Sequence, residues 1–138
     1  MNGVLANFKE YGDNAVKEFE EITQIRSQEI EYEAKRLAPV DDSFLRSSIK
    51  SEKQNKPLTY KVTAYMPYAP FQEFGTGGLV NIPNGWGEIA AQFKGKGIRQ
   101  VNMEAQPFMY PAFVKGSKLY IKDLKHSLKR LNKDFNNG

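Results

Sequence analysis

Glu73 is the side chain of this sequence best placed for chemistry, set among Tyr68, Phe71 and Phe74 and followed at once by Gly75-Thr-Gly-Gly78. A carboxylate enclosed by aromatic rings can serve as a general acid or base, but that work needs a second acid or a nucleophile facing it. No other residue nominates itself as that partner. His126 is the only histidine, held between Lys125 and Ser127 on a basic stretch, and cysteine is absent. One imidazole without thiolates gives too few convergent ligands for a metal centre, so His126 reads as a surface residue. Gly75-Thr-Gly-Gly78 and Gly95-Lys-Gly97 superficially resemble phosphate loops. Neither has the Gly-x4-Gly-Lys-Ser/Thr spacing. Asp41 and Asp42 are adjacent carboxylates whose simplest use is to cap a helix. No enzyme, cofactor or metal is expected.

Binding chemistry is the next possibility. From Lys115 to Asp134 seven bases stand against two acids, whereas from Met1 to Ala34 eight acids stand against three bases. Such opposite ends suit subunits meeting head to tail, or else are two solvated helix faces of different sign. Lys118, Lys122, Lys125 and Lys129 are the candidate contacts on the basic side. A lysine-rich helix also invites a nucleic-acid reading. Asp123 and Asp134 interrupt the run and no nucleic-acid module is visible, so specific DNA recognition is not expected.

The elements that must position these residues follow from periodicity. Tyr68, Phe71 and Phe74 recur every third residue, the spacing of one face of a short helix, with Pro70 suited to its first turn. Gly75, Gly77 and Gly78 then turn the chain. Upstream, Leu5, Phe8, Tyr11, Ala15, Phe19, Ile22, Ile30, Ala34 and Leu37 predict an amphipathic helix over most of residues 3–38, with a break or second cap at Gly12-Asp13-Asn14 and an end at Pro39. Asp41 or Asp42 is expected to cap a helical turn carrying Phe44, Leu45 and Ser48. Ile49 and the alternating residues 59–66 predict a β-hairpin turning at Asn55-Lys56-Pro57 and packed on the long helix.

Downstream, Leu79–Ile82 and Ile98–Val101 are the expected arms of a second hairpin within a long loop. Trp86 and Phe93 on that loop are either anchors tucked onto the core or residues turned towards a partner. Gln106–Phe113 returns the chain. A last helix should then bury Val114, Ile121, Leu124, Leu128, Leu131 and Phe135 and expose its lysines.

At 138 residues, with 40% hydrophobic residues, the chain fits one domain, 1–138, with a core of its own. No apolar run reaches the ~20 residues of a membrane span, and no signal-peptide pattern is present; a cytoplasmic, soluble product is expected.

Three blocks occur in a set order: Ala38-Pro-Val-Asp…Leu45-Arg-Ser-Ser-Ile49, Tyr68-Ala…Glu73-Phe-Gly-Thr76, and Gln106-Pro-Phe…Pro111-Ala112. Together, over roughly residues 20 to 130, the chain resembles the small neck or tail-completion proteins of long-tailed bacteriophages. Two departures stand out: Ser43 occupies a position where that family usually has glycine, and the loop from Leu79 to Glu104 is longer.

The resemblance implies an α+β fold, a small antiparallel sheet packed by two helices with a long loop or hairpin between Gly78 and Gln106. It also implies a virion structural protein forming a six- or twelve-fold ring where the DNA-filled head meets the tail. Its neighbours would be connector or adaptor proteins and the tail tube or its terminator, with DNA crossing the channel unread. On this reading Pro39, Asp41, Leu45, Ser48, Tyr68, Ala69, Glu73, Phe74, Gly75, Thr76, Pro107, Phe108, Pro111 and Ala112 form the structural motif. Tyr68, Phe71, Phe74, Phe108 and Phe113 should lie in the core or lock the turn, with Glu73 accepting backbone N–H bonds around Gly75 and Thr76. Trp86 and Phe93 should serve assembly. A tail terminator capping the tube is the neighbouring alternative, and a nucleic-acid binder using the final helix is a further one.

Overall fold

In a computed structural model, which describes residues 2–92 and 103–137, the chain folds around an antiparallel pair of long helices. The first, α1, runs Asn2–Leu37. At 1.5 Å per residue its 36 residues reach about 54 Å. The expected break at Gly12-Asp13-Asn14 does not occur. Gly12 has open space where a Cβ would sit, and the helix continues through it. Neighbouring anchors override the local propensity: the ring of Tyr11 packs 5.1 Å from that of Phe135, and its hydroxyl donates to Asn132. Pro39 lies just beyond the end of the helix, as its own geometry requires.

A short helix α2, Ser43–Ser48, leads directly into strand β1, Ile49–Lys53, which pairs antiparallel with β2, Tyr60–Ala64, in the register Ile49↔Ala64 to Lys53↔Tyr60. This hairpin lies against α1, as its alternation predicts. Carboxylates of α1 help fix it. Glu31 accepts from the Ser51 backbone N–H at 3.0 Å, and Glu20 accepts from that of Leu58 at 2.9 Å. Helix α3, Ala69–Phe74, carries Pro70 in its first turn, and a 3-10 turn follows at Gly77–Leu79. Leu79–Ile82 forms no strand; a short helix α4, Gly87–Ala91, comes next. The other expected arm, Ile98–Val101, lies outside the described residues, as does Phe93.

The last helix, α5, spans Met109–Asn137, so it begins inside the stretch that the sequence reads as a return segment. It packs along α1. The ring of Phe8 meets that of Phe135, Thr23 shares a hydrogen bond with the Tyr120 hydroxyl at 2.7 Å, and Ile30 abuts Gly116. The stripe facing α1 matches the expected one at Leu131, which is buried, and at half-buried Val114, Leu124 and Phe135, and departs from it at two positions. Ile121 and Leu128 are 52% and 45% exposed, and the buried positions are Ala112, Gly116, Ser127 and Leu131. Small residues at Ala112 and Gly116 let the two helices approach closely there, while Ile121 and Leu128 fall on the flank of the contact.

The antiparallel pairing also changes the meaning of the charge asymmetry. The acidic and basic ends lie side by side within one chain. Glu33 pairs with Lys115 and Glu18 with Arg130, and one pair runs in the other sense, Arg26 with Asp123. The core proper is one cluster in which Ala34 of α1 joins Ala38, Leu45, Ile49, Ala69, Phe108 and Ala112 from the three sequence blocks. The architecture is α+β, a small antiparallel sheet with a long N-terminal and a long C-terminal helix. None of the described helices is long and apolar enough to cross a membrane.

Candidate functional site

The three sequence blocks meet at the start of α5, and Glu73 is the residue that joins two of them. Its side chain is buried, and both oxygens are in use. Oε2 accepts from the backbone N–H groups of Phe108 and Met109, each at 2.9 Å, and Oε1 accepts from that of Tyr110 at 2.8 Å. An α-helix leaves its first four N–H groups without intrahelical partners. With Met109 as the first helical residue, those four belong to Phe108, Met109, Tyr110 and residue 111. The fourth is Pro111, which has no N–H to satisfy. One carboxylate 35 residues upstream therefore completes the N-terminus of a 29-residue helix. The negative charge also lies where the helix dipole is positive.

The expected partners of Glu73 around Gly75 and Thr76 are not the ones observed. The physical reason is geometric. The Gly75 N–H is taken by the Phe71 carbonyl and the Thr76 N–H by that of Met103, whereas the helix arriving at Met109 presents three donors in a converging set. Lacking a fixed N-terminus for α5, the sequence alone did not offer those donors. Pro111, two residues into the helix, was the available signal.

The Glu73 turn is clamped to the returning chain at further points. Thr76 N–H donates to the Met103 carbonyl and Met103 N–H to Thr76 Oγ1, each at 2.9 Å, which forms an isolated β-bridge. Gln106 N–H donates to the Gln72 carbonyl at 2.8 Å, and their side-chain amides bond at 3.0 Å. Between these clamps sits Gly75, with φ +78°. A Cβ there would lie 2.7 Å from the Leu79 carbonyl oxygen, 2.8 Å from that of Met103 and 2.9 Å from the Ala105 nitrogen. Both the left-handed conformation and the close backbone approach demand glycine. The arrangement ties residues 72–76 to 103–110 and so closes the loop between them.

A second link joins the first block to the turn. Asp42, not Asp41, caps α2: its Oδ1 accepts from Leu45 N–H at 2.9 Å and from the Tyr68 hydroxyl at 2.8 Å, while Asp41 is exposed. Burial, and then the bond to Asp42, push the Tyr68 hydroxyl above the ordinary tyrosine pKa. Ser48 Oγ donates to the Leu45 carbonyl at 2.7 Å, and Leu45 is fully buried. Phe74, Ala69, Phe108 and Ala112 are buried; Pro107 is exposed, and Phe113, expected in the core, is 51% exposed.

Trp86 is half-buried against the chain itself. Its ring lies 5.3 Å from that of Tyr110, 6.2 Å from Phe113 and 6.3 Å from Phe74, each edge to face. It therefore anchors the loop onto the turn and the first helical turn of α5. Lys118, Lys122, Lys125 and Lys129 are exposed on α5, away from this site. Chemically, the site holds a helix in place and closes a loop. Among the described residues no cluster of acids and histidine is arranged for a metal ion.

Comparison with curated proteins and with solved structures gives no match. A family model does match, described as "Bacteriophage HK97-gp10, putative tail-component", over residues 2–75. That range takes in α1, the β-hairpin, α3 and the turn as far as Gly75, more than half of the chain. The chain belongs to the HK97-gp10-like family of bacteriophage tail components.

Proposed function

We propose that this protein is a structural subunit of the phage particle at the head–tail junction, where copies form a ring around the DNA channel and join the connector to the tail. Its work is shape and contact, with no reaction performed. Membership of a tail-component family supports a virion role. The observation that carries the finer reading is the amount of apolar side chain left uncovered along the α1/α5 pair. Phe8, Val16, Ile25, Tyr32, Ile121 and Leu128 are all exposed. Ile121 and Leu128, seven residues apart, share one flank of α5, and Ile25 and Tyr32, also seven apart, share one side of α1; such apolar rows support surfaces completed by neighbouring subunits. Glu73 adds to this reading, because both of its oxygens are committed to backbone donors.

Cryo-electron microscopy of intact particles is the test. Density for a closed ring of this chain between portal and tail is the expected result. Density only at the far end of the tail tube, or none, would refute it. A tail terminator is the second reading, favoured by the same exposed helices, and recovery of the protein from headless tails but never from tailless heads would select it.

A further inference from the structure

We infer that the outer face of α5 is a docking surface for the phosphate backbone of duplex DNA. Lys118, Lys122, Lys125 and Lys129 follow one another at intervals of four, three and four residues. At ~100° per residue this brings each back to within roughly 40° of one line along the helix. All four are exposed, and among the described residues none pairs with a carboxylate. The stripe extends about 16 Å.

In the sequence, Asp123 and Asp134 break this run. In the fold they do not. Asp123 pairs with Arg26 of α1, and Asp134 with Arg130, which also reaches Glu18 of α1. Both acids stand on the opposite side of the helix from the lysine line, and each is held by an arginine that it shares with a second carboxylate, Glu29 or Glu18. The positive stripe is thus continuous in space although interrupted in sequence.

Its composition favours a polyanion over a protein partner. Pro111 and Asn136 extend the line, so it contains no large apolar anchor. Protein interface cores are depleted of lysine and rely on aromatic residues and arginine. Duplex DNA needs no such anchor, since it offers a negative charge about every 1.7 Å along its axis and is held by counterion release. Flexible ammonium groups contact phosphates without reading bases. This inference deepens the junction reading by naming the face turned towards the DNA, but binding in solution does not depend on ring formation.

The experiment follows fluorescence anisotropy of a short labelled duplex of arbitrary sequence, titrated with the full chain over a range of salt. Four phosphate contacts at about 0.9 each predict that affinity falls about a hundredfold for a fourfold rise in salt. Changing Lys118, Lys122, Lys125 and Lys129 together to glutamine should flatten that dependence by about three to four in log–log slope. The matched change of the exposed Lys50, Lys53, Lys56 and Lys61 should leave it nearly intact, with circular dichroism melts confirming that both variants fold. An unchanged slope in the α5 variant, or equal losses in both variants, would overturn the inference. So would loss of self-association with the DNA curve unmoved, which would make the stripe a contact for an acidic protein face. Particles that lack the chain would sink the junction reading alone; a chain present in particles with an insensitive slope would sink only this one.

Discussion

Glu73 holds three backbone donors with one carboxylate, and the energetic consequence is large for a single side chain. Each buried donor left without a partner costs about 1–3 kcal/mol, offset in part where water can enter. Glu73→Ala is therefore expected to destabilise the chain by about 3 kcal/mol, read as a lower urea midpoint. Glu73→Gln keeps an acceptor oxygen but loses the charge at the helix start, so it should fall between the two. Equal stability of Glu73→Ala and the parent would show that the cap contributes nothing. Gly75→Ala should be at least as damaging, because a Cβ meets three backbone atoms that have no room to move.

Tyr68 supplies a pH dependence. Its pKa is raised in the folded chain, so the native state retains a proton that the unfolded chain releases from about pH 10 upward. That stabilisation is fully present below the unfolded value and disappears as pH climbs through the folded one. Tyr68→Phe should lower stability near neutral pH and flatten the alkaline decline of the melting temperature. An alkaline decline of the same steepness in both proteins would exclude the residue as its source.

At the scale of elements, two glycines in the long helices have opposite meanings. Gly12 lies in α1 with open space around it, so Gly12→Ala should stabilise by about 0.5–1 kcal/mol through helix propensity alone. Gly116 lies in α5 where a Cβ would come within 2.2 Å of the Ile30 side chain. Gly116→Ala should cost about 1–3 kcal/mol, and combining it with Ile30→Ala should recover part of that loss. Strict additivity in that double-mutant cycle would mean the two helices do not meet there. Trp86→Ala tests the loop: it removes edge-to-face contacts with Phe74, Tyr110 and Phe113, so it should lower the melting temperature of the isolated chain as well as any assembly.

For the whole molecule, the prediction concerns what α1 and α5 leave uncovered. Ile121→Asp and Leu128→Asp change exposed positions and should alter the stability of the chain by no more than about 0.5 kcal/mol. If that flank is the subunit contact, the same variants should be missing from particles in a complementation assay. Normal incorporation of both would move the contact elsewhere on the surface. The internal ion pairs between the helices bear on this. Lys115 and Arg130 of α5 already meet Glu33 and Glu18 of α1 within one chain, so that part of the attraction is not available to set a head-to-tail register, whereas the lysine line of α5 stays unpaired among the described residues.

Periodicity and backbone chemistry were enough to read the long first helix, its end at Pro39, the hairpin over residues 49–64, the short helix after Tyr68 and the lysine-rich last helix. Each is a local pattern, set by spacing and by what proline, glycine and β-branched residues permit. The ordered blocks likewise pointed to the family. Which donors Glu73 would accept, which of two aspartates would cap, and whether Ile121 or Gly116 would face α1 depended on where a distant helix came to rest. Those contacts join distant parts of the chain: Glu73 with Phe108 across 35 residues, Asp42 with Tyr68 across 26, and Ile30 with Gly116. A carboxylate pairs with whichever converging donors the packed helices bring to it, and a helix buries whichever face lets its neighbour come nearest. Spacing along one segment specifies neither, because both are properties of two segments at once.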